Sequence, residues 1–257
     1  MDVILTEGLV TWLLIFSRLG AMLMLVPLFG ATNVPMQVKI LFTGFLALIF
    51  YTSGQYEVGI SLTRFDVITT GIIFEIVNGL SIGFVVVAIM NAVYIAGHII
   101  DMDMGFAMVN VISAQDESEM PITANFYYLL IMIIFVTMNA HHRMIEAFIR
   151  SLQIAPLGIL SFSGFTVSTY FELIKETFII GFQMAMPVIT TIMIANIILG
   201  MLAKAMPGMN VFMVGMPFKI LIGIFTIYIV FPVTVKMMVH LLDRLMYYME
   251  QVLLFMR

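Results

Sequence analysis

From Val67 to Ala96 the chain runs for thirty residues with one charged side chain, Glu75. As a helix rising about 1.5 Å per residue, such a run reaches about 45 Å, beyond a hydrocarbon core of about 30 Å, so it must tilt, kink or leave the membrane. Composition points the same way: 62% of the 257 residues are hydrophobic and 10% charged, where a soluble domain carries about a quarter charged residues. With a mean hydropathy of +1.13, the chain reads as an all-α integral membrane protein forming a single membrane-embedded unit over residues 1–257. The net charge of −4 leaves no basic face to neutralise phosphates, which excludes nucleic acid as a partner. Cysteine is absent, so disulfides, thiolate metal sites and Cys nucleophiles are excluded. The 25 methionines supply flexible apolar side chains suited to core filling or to irregular, moving contacts.

The remaining apolar runs lie on either side of Val67–Ala96. Met1 to Glu7 carries Asp2 and Glu7 but no basic residue, so it lacks the positive start of a signal peptide and is expected to be retained. Leu9 to Phe29 is long enough to span, with Arg18 in its middle, where a cation needs a partner, an aqueous cavity or a route to the interface. Pro27, Gly30 and Pro35 then break the chain. Val38 to Tyr51 is short for a span and could be half of a hairpin. Ile122 to Ala140 and Glu172 to Ala203 follow, the latter with a kink expected at Pro187. A loop over Lys204–Gly215 precedes Met216 to Val235, and residues 236–257 read as an amphipathic tail on a membrane surface or partner. Six spans place Arg64, Arg143, Arg150, Lys175, Lys236, Arg244 and Arg257 on one side against Lys39, Lys204 and Lys219 on the other. The positive-inside rule then puts both termini in the cytoplasm and Gly97–Pro121 outside.

Gly97–Pro121 is itself unusual. It holds Asp101, Asp103, Asp116, Glu117 and Glu119 with no Lys or Arg, yet its middle, Phe106 to Ile112, is as apolar as a core. Such a segment needs a sheltered place. Elsewhere the chemistry-bearing patterns are weak. Gly79, Ser81 and Gly83 satisfy G-x-S-x-G but lie in an apolar helix without the strand–turn–helix context of a nucleophile elbow; the same Gly79 and Gly83 form a GxxxG spacing that permits close backbone contact with another helix. His98 with Asp101 and Asp103, or His141 and His142 with Glu146, lack a third well-spaced nitrogen ligand. No phosphate-cradling glycine loop is present. No catalytic residue, metal or cofactor is assigned. Arg18, Glu75 and Lys219 are the ionisable groups deepest in apolar surroundings. They could relay protons in an ion-coupled transporter of small molecules, or pair with one another or with neighbouring subunits; the residues themselves favour neither.

Longer motifs carry a resemblance. AGHIIDMDMGFAM (Ala96–Met108) and LGMLAKAMPGMNVFMVGMPFKILIG (Leu199–Gly223), with SRLGAMLMLVPLFG near the start and NAHHRMIEAFIRSLQIAPLG in the middle, run in order along nearly the whole chain. Together they resemble the FliR family of flagellar biosynthesis proteins, homologous to the SctT components of injectisomes. Gly215 within Val214–Pro217 is similar to the flagellar branch. Departures are Asp103, where Gln is common, and Gly208–Met209, where Gln-Leu is usual.

The resemblance implies long kinked helices and helical hairpins packed into a multi-subunit helical channel assembly. Unfolded flagellar subunits would cross the bacterial inner membrane through it, at the flagellar basal body. It implies FliP-like and FliQ-like gate subunits, FlhB-like and FlhA-like export components, unfolded export substrates and membrane lipid as partners, and no enzymatic activity. Residues 105–121 would act as a plug, with Gly105, Phe106, Met108, Val109, Val111, Ile112 and Pro121 at the gate. Arg18, Glu75, Asp101, Lys204, Asn210 and Lys219 would serve as buried charge or assembly residues. Much of the surface would pack on partner subunits, which weakens any six-span topology.

Overall fold

A computed structural model describes residues 2–30, 34–54, 56–60, 64–106, 121–160, 164–206, 208 and 210–256. Among them are eight helices and no β-strand, the sole sheet-like pairing being a bridge between Val58 and Leu157. The chain is an all-α membrane protein: five helices are long and apolar enough to cross a bilayer, or six if one bent pair counts as a span.

α1 (Asp2–Leu25) ends where Pro27 withholds a backbone donor; a single turn, α2 (Pro27–Gly30), follows. Gly30 is needed in this turn, because a Cβ there would stand 2.6 Å from the Met24 carbonyl oxygen. α3 (Met36–Ser53) starts after Pro35, whose φ of −55° is already set for helix entry, and stops at extended Gly54. At 18 residues it is longer than the expected Val38–Tyr51 run. It returns antiparallel along α1: the Trp12 indole donates to the Gly44 carbonyl at 3.4 Å, and Gly20 faces Thr43.

α4 (Phe65–Met104) is a continuous 40-residue helix, about 60 Å long at 1.5 Å per residue. The expected Val67–Ala96 run therefore continues through the first eight residues of the acidic stretch. α5 (Ile122–Thr137) and α6 (Ala140–Ile154) meet at a 67° bend. The single span expected over Ile122–Ala140 is cut because Asn139 adopts a left-handed conformation, φ 54°, a geometry Asn tolerates better than most side chains. α7 (Gly164–Ala205) holds Pro187 inside it, and α8 (Val211–Phe255) holds Pro217 and Pro232. The loop expected over Lys204–Gly215 shrinks to the residues between these two helices, and the tail expected from Lys236 is no separate element: α8 runs through it unbroken.

Two compact units divide the chain. The first takes residues up to Ile89, Met138–Ile174 and the chain from Asp243; the second takes Met90–Thr137 and Lys175–Leu242. In the first, Leu14, Ile15, Leu19 and Met22 of α1 are buried, as are Val85, Val86, Phe148 and Leu152. Gly79 and Gly83 bring α4 onto α1 there: a Cβ on Gly79 would meet the Arg18 carbonyl oxygen at 2.1 Å, and one on Gly83 the Met22 carbonyl oxygen at 2.9 Å. The GxxxG spacing is thus spent on packing within the chain. In the second unit, Val93, Ala96, Ile100 and Met104 of α4 are buried, with Tyr127 and Ile131 of α5, Ala185 and Val188 of α7, and Met238 and Leu241 of α8.

Candidate functional site

Two buried acids on α4, one in each unit, hold the polar architecture. Glu75 and Arg18 are both 0% exposed. Arg18 projects from mid-α1; its Nε and Nη2 donate to the two oxygens of Glu75, the latter at 3.0 Å. Its Nη1 donates to the Ser151 carbonyl at 2.8 Å and reaches the Ser151 hydroxyl at 3.5 Å, while Nη2 reaches the Ala155 carbonyl at 3.4 Å. Every guanidinium hydrogen therefore has an acceptor, which is what a buried Arg requires. The Ser151 and Ala155 carbonyls lie at the end of α6, where the helix dipole is negative and suits a cation.

Local sequence explains this convergence. Pro156 disfavours helical geometry at the preceding residue, and Ala155 is extended, with φ −106° and ψ 115°. Leu157 is then held by paired backbone bonds: its N–H donates to Glu57 O at 2.8 Å and its carbonyl accepts from Gly59 at 2.9 Å. Gly158 follows with φ +86°, so that its N–H donates to Glu75 at 2.7 Å. Next to it, the Asn78 amide donates to the Ile159 carbonyl at 2.9 Å. The sequence assigns no site role to Ser151, Ala155, Gly158 or Asn78, although the first three lie within the NAHHRMIEAFIRSLQIAPLG motif. Three of the four act through backbone atoms, and the signal the sequence carries for them is the closely spaced Pro156 and Gly158.

The second acid, Asp101, is 2% exposed near the end of α4. Its carboxylate accepts the backbone N–H groups of Thr123, at 2.9 and 3.1 Å, and of Ala124, at 3.2 Å. These are the second and third residues of α5, the positions a helix cap serves. Pro121, which stands just before the helix and has no polar side chain, cannot cap it, so Asp101 does so from another helix. Contact is close: a Cβ on Gly97 would stand 2.2 Å from Ala124 Cα. The residues flanking 105–121 are thereby fastened to one another. Met104 is buried against α8 at Gly223, where an added Cβ would meet its Sδ at 2.9 Å. Gly105 then leaves the helix with φ +87°.

Of the residues assigned to the plug, Gly105 and Phe106 are half-buried and Pro121 is buried. Met108, Val109, Val111 and Ile112 lie outside the described residues. Lys204 is exposed in the last turn of α7. Asn210 is exposed and caps α8, its side-chain oxygen accepting the Met213 N–H at 3.3 Å. Lys219 is half-buried on α8 in the second unit. Ser81, the serine of G-x-S-x-G, donates to the Asn78 carbonyl at 2.6 Å within its own helix. Among the described residues, no three His, Asp or Glu side chains converge as a metal site would need.

Residues 9–245 match the family described as Bacterial export proteins, family 1. The chain belongs to the FliR family of that group. One relative, the flagellar biosynthetic protein FliR of Bacillus subtilis (strain 168), is 32% identical over 216 residues, covering 82% of each chain. The FliR of Caulobacter vibrioides is 26% identical over 211 residues, 82% of this chain and 84% of the relative. That of Escherichia coli K12 is 24% identical over 247 residues, 93% of each. FliR membership makes this chain a component of the flagellar export apparatus, and its apolar helices make it a membrane-embedded one.

Proposed function

We propose that this FliR-family chain is a structural, channel-forming subunit of the flagellar protein export gate in the bacterial inner membrane. Unfolded flagellar subunits would pass through that gate. FliP-like and FliQ-like subunits would complete the channel, and FlhB-like and FlhA-like components would feed it. Residues 105–121 act as the plug: their apolar, methionine-containing part, Phe106–Ile112, moulds around extended chains of varied sequence and dewets a constriction against ions.

The observation that carries this reading is the Asp101 cap on α5. With Thr123 and Ala124 bonded to a side chain of α4, both ends of the loop share one base, as a plug must if it is to move without releasing its anchors. Deleting Phe106–Ile112 while keeping that base should leave the complex assembled and make the membrane leak ions. An assembled complex that stays ion-tight after the deletion would remove the plug role.

The alternative, a small-molecule transporter using Arg18, Glu75 and Lys219, draws no support from the first two. Both are closed to solvent, and the guanidinium hydrogens and both carboxylate oxygens are engaged. Purification in mild detergent separates the readings. The export gate predicts a large complex with other hydrophobic proteins, and a transporter predicts an active monomer or dimer.

A further inference from the structure

Between α1, α3 and α4, within the first unit, lies a groove of about 690 Å³, inside the range of about 300–1,000 Å³ usual for small-molecule sites. Phe16, Gly20, Met24, Phe42 and Leu80 give it apolar walls, and Lys39 is part of its lining. Its other polar side chains are already committed: Ser17 donates to the Leu13 carbonyl at 2.7 Å, and Thr43 donates to the Lys39 carbonyl at 2.8 Å. Lys39 is thus the one charged residue among those lining the groove.

Among the described residues, no acid pairs with it. The ion pairs among the described residues are Arg18–Glu75, Arg64–Asp66 and Arg150–Glu146, and Lys39 is in none of them. In the antiparallel α1–α3 hairpin, Gly8 lies beside Tyr51 and Gly20 beside Thr43. That register sets Lys39 near the far end of α1 from Glu7. The separation is about 20 Å along the helix axis, too far for direct pairing and beyond a Debye length in physiological salt.

Lys39 is also the fourth residue of an 18-residue candidate span. A cation in the first turn of such a helix sits at the depth of lipid headgroups. A basic group beside an apolar cleft between membrane helices is the chemistry that holds an anionic lipid. We infer that this groove is a binding site for an anionic phospholipid, whose phosphate pairs with Lys39 while an acyl chain lies along Phe16, Gly20 and Phe42. A zwitterionic lipid would fill the same walls but would bring its own cation toward Lys39, which sets the selectivity.

The test uses the full chain purified in detergent, exposed to dioleoyl phosphatidylglycerol or dioleoyl phosphatidylcholine, with bound lipid counted by native mass spectrometry. Wild-type protein should retain one phosphatidylglycerol in preference to phosphatidylcholine. Lys39→Gln should weaken phosphatidylglycerol retention about fivefold, the worth of one lysine near an anionic surface, and Lys39→Arg should keep it. Gly20→Leu, which fills the groove and leaves the charge, should lower retention of either lipid. Free glycerol phosphate should not compete, because it lacks the acyl chain. Equal retention of the two lipids, retention unaltered in Lys39→Gln, or displacement by glycerol phosphate would each overturn the site. Circular dichroism of each variant verifies that it is folded, and unaltered lipid retention by folded Gly20→Leu would likewise overturn it.

Discussion

Glu75 and Asp101 sit on the same helix, are equally shut from solvent, and are neutralised in opposite ways. Glu75 meets a full counter-charge, Arg18, whose remaining hydrogens fasten α6. Asp101 meets backbone N–H groups alone, the positive start of α5. The first arrangement crosslinks three helices, α1, α4 and α6, and leaves no donor of Arg18 unused. Such a node is rigid, because losing one partner strands a charge in a low dielectric. The second rests on a helix terminus, worth far less, and its loss frays one turn instead of breaking a core. One unit therefore carries a fixed fastening and the other a modest one, placed at the base of the segment proposed to move.

Variants that unbalance this pair should separate the two. The largest effect is expected from Arg18→Leu, which leaves Glu75 buried and unpaired. It should lower stability by about 3–5 kcal/mol in detergent unfolding, while Arg18→Leu with Glu75→Leu should recover much of that loss. Gly158→Ala comes next, at roughly 1–3 kcal/mol. The new side chain must adopt the φ of +86° that glycine holds and would stand 2.7 Å from Ile60. Asp101→Ala should cost about 0.5–2 kcal/mol, as for a lost helix cap. It should raise amide exchange at Thr123 and Ala124 without altering exchange at Gly158. The smallest effect belongs to Glu146→Gln, which breaks an exposed pair with Arg150 and should alter the melting free energy by less than about 1 kcal/mol. If Asp101→Ala proved as damaging as Arg18→Leu, the contrast between the two acids would fail.

Much of the helical framework can be read from sequence because membrane helices announce themselves through length and polarity. The break between α1 and α3 follows from Pro27, Gly30 and Pro35, and most of the 40-residue α4 from a run of thirty apolar-rich residues, 67–96, with one charge, Glu75, and no proline. Other boundaries depend on tertiary context. Asn139 looks like any polar residue at a helix end, and its left-handed φ is unmarked in sequence. Charges from Lys236 onward suggest a new element. In the structure Leu241, Leu245, Tyr248 and Val252 stay buried at helical spacing, so α8 continues without interruption. Pro217 and Pro232 do not stop it, since a proline removes one donor and not the surrounding packing.

The polar sites were legible unevenly, for a similar reason. Arg18 and Glu75 stand out as charges in apolar runs, but nothing in the sequence pairs them. Ser151 and Ala155 accept chiefly through carbonyls, and any residue type could do that. Asp101 stands out as an acid, and its role as a cap for α5 emerges only with the close approach of Gly97 to Ala124.

The central claim, that residues 105–121 line the path of exported chains, is tested most directly by cross-linking. The sequence contains no cysteine, so a single Phe106→Cys substitution places one unique thiol at the start of the loop, and Glu146→Cys gives an exposed control. In assembled export gates carrying a stalled substrate with thiols along its length, the account predicts substrate-dependent cross-links at position 106 and none at position 146. Absence of cross-linking at 106 with the stalled chain present, or equal cross-linking at both positions, would contradict it.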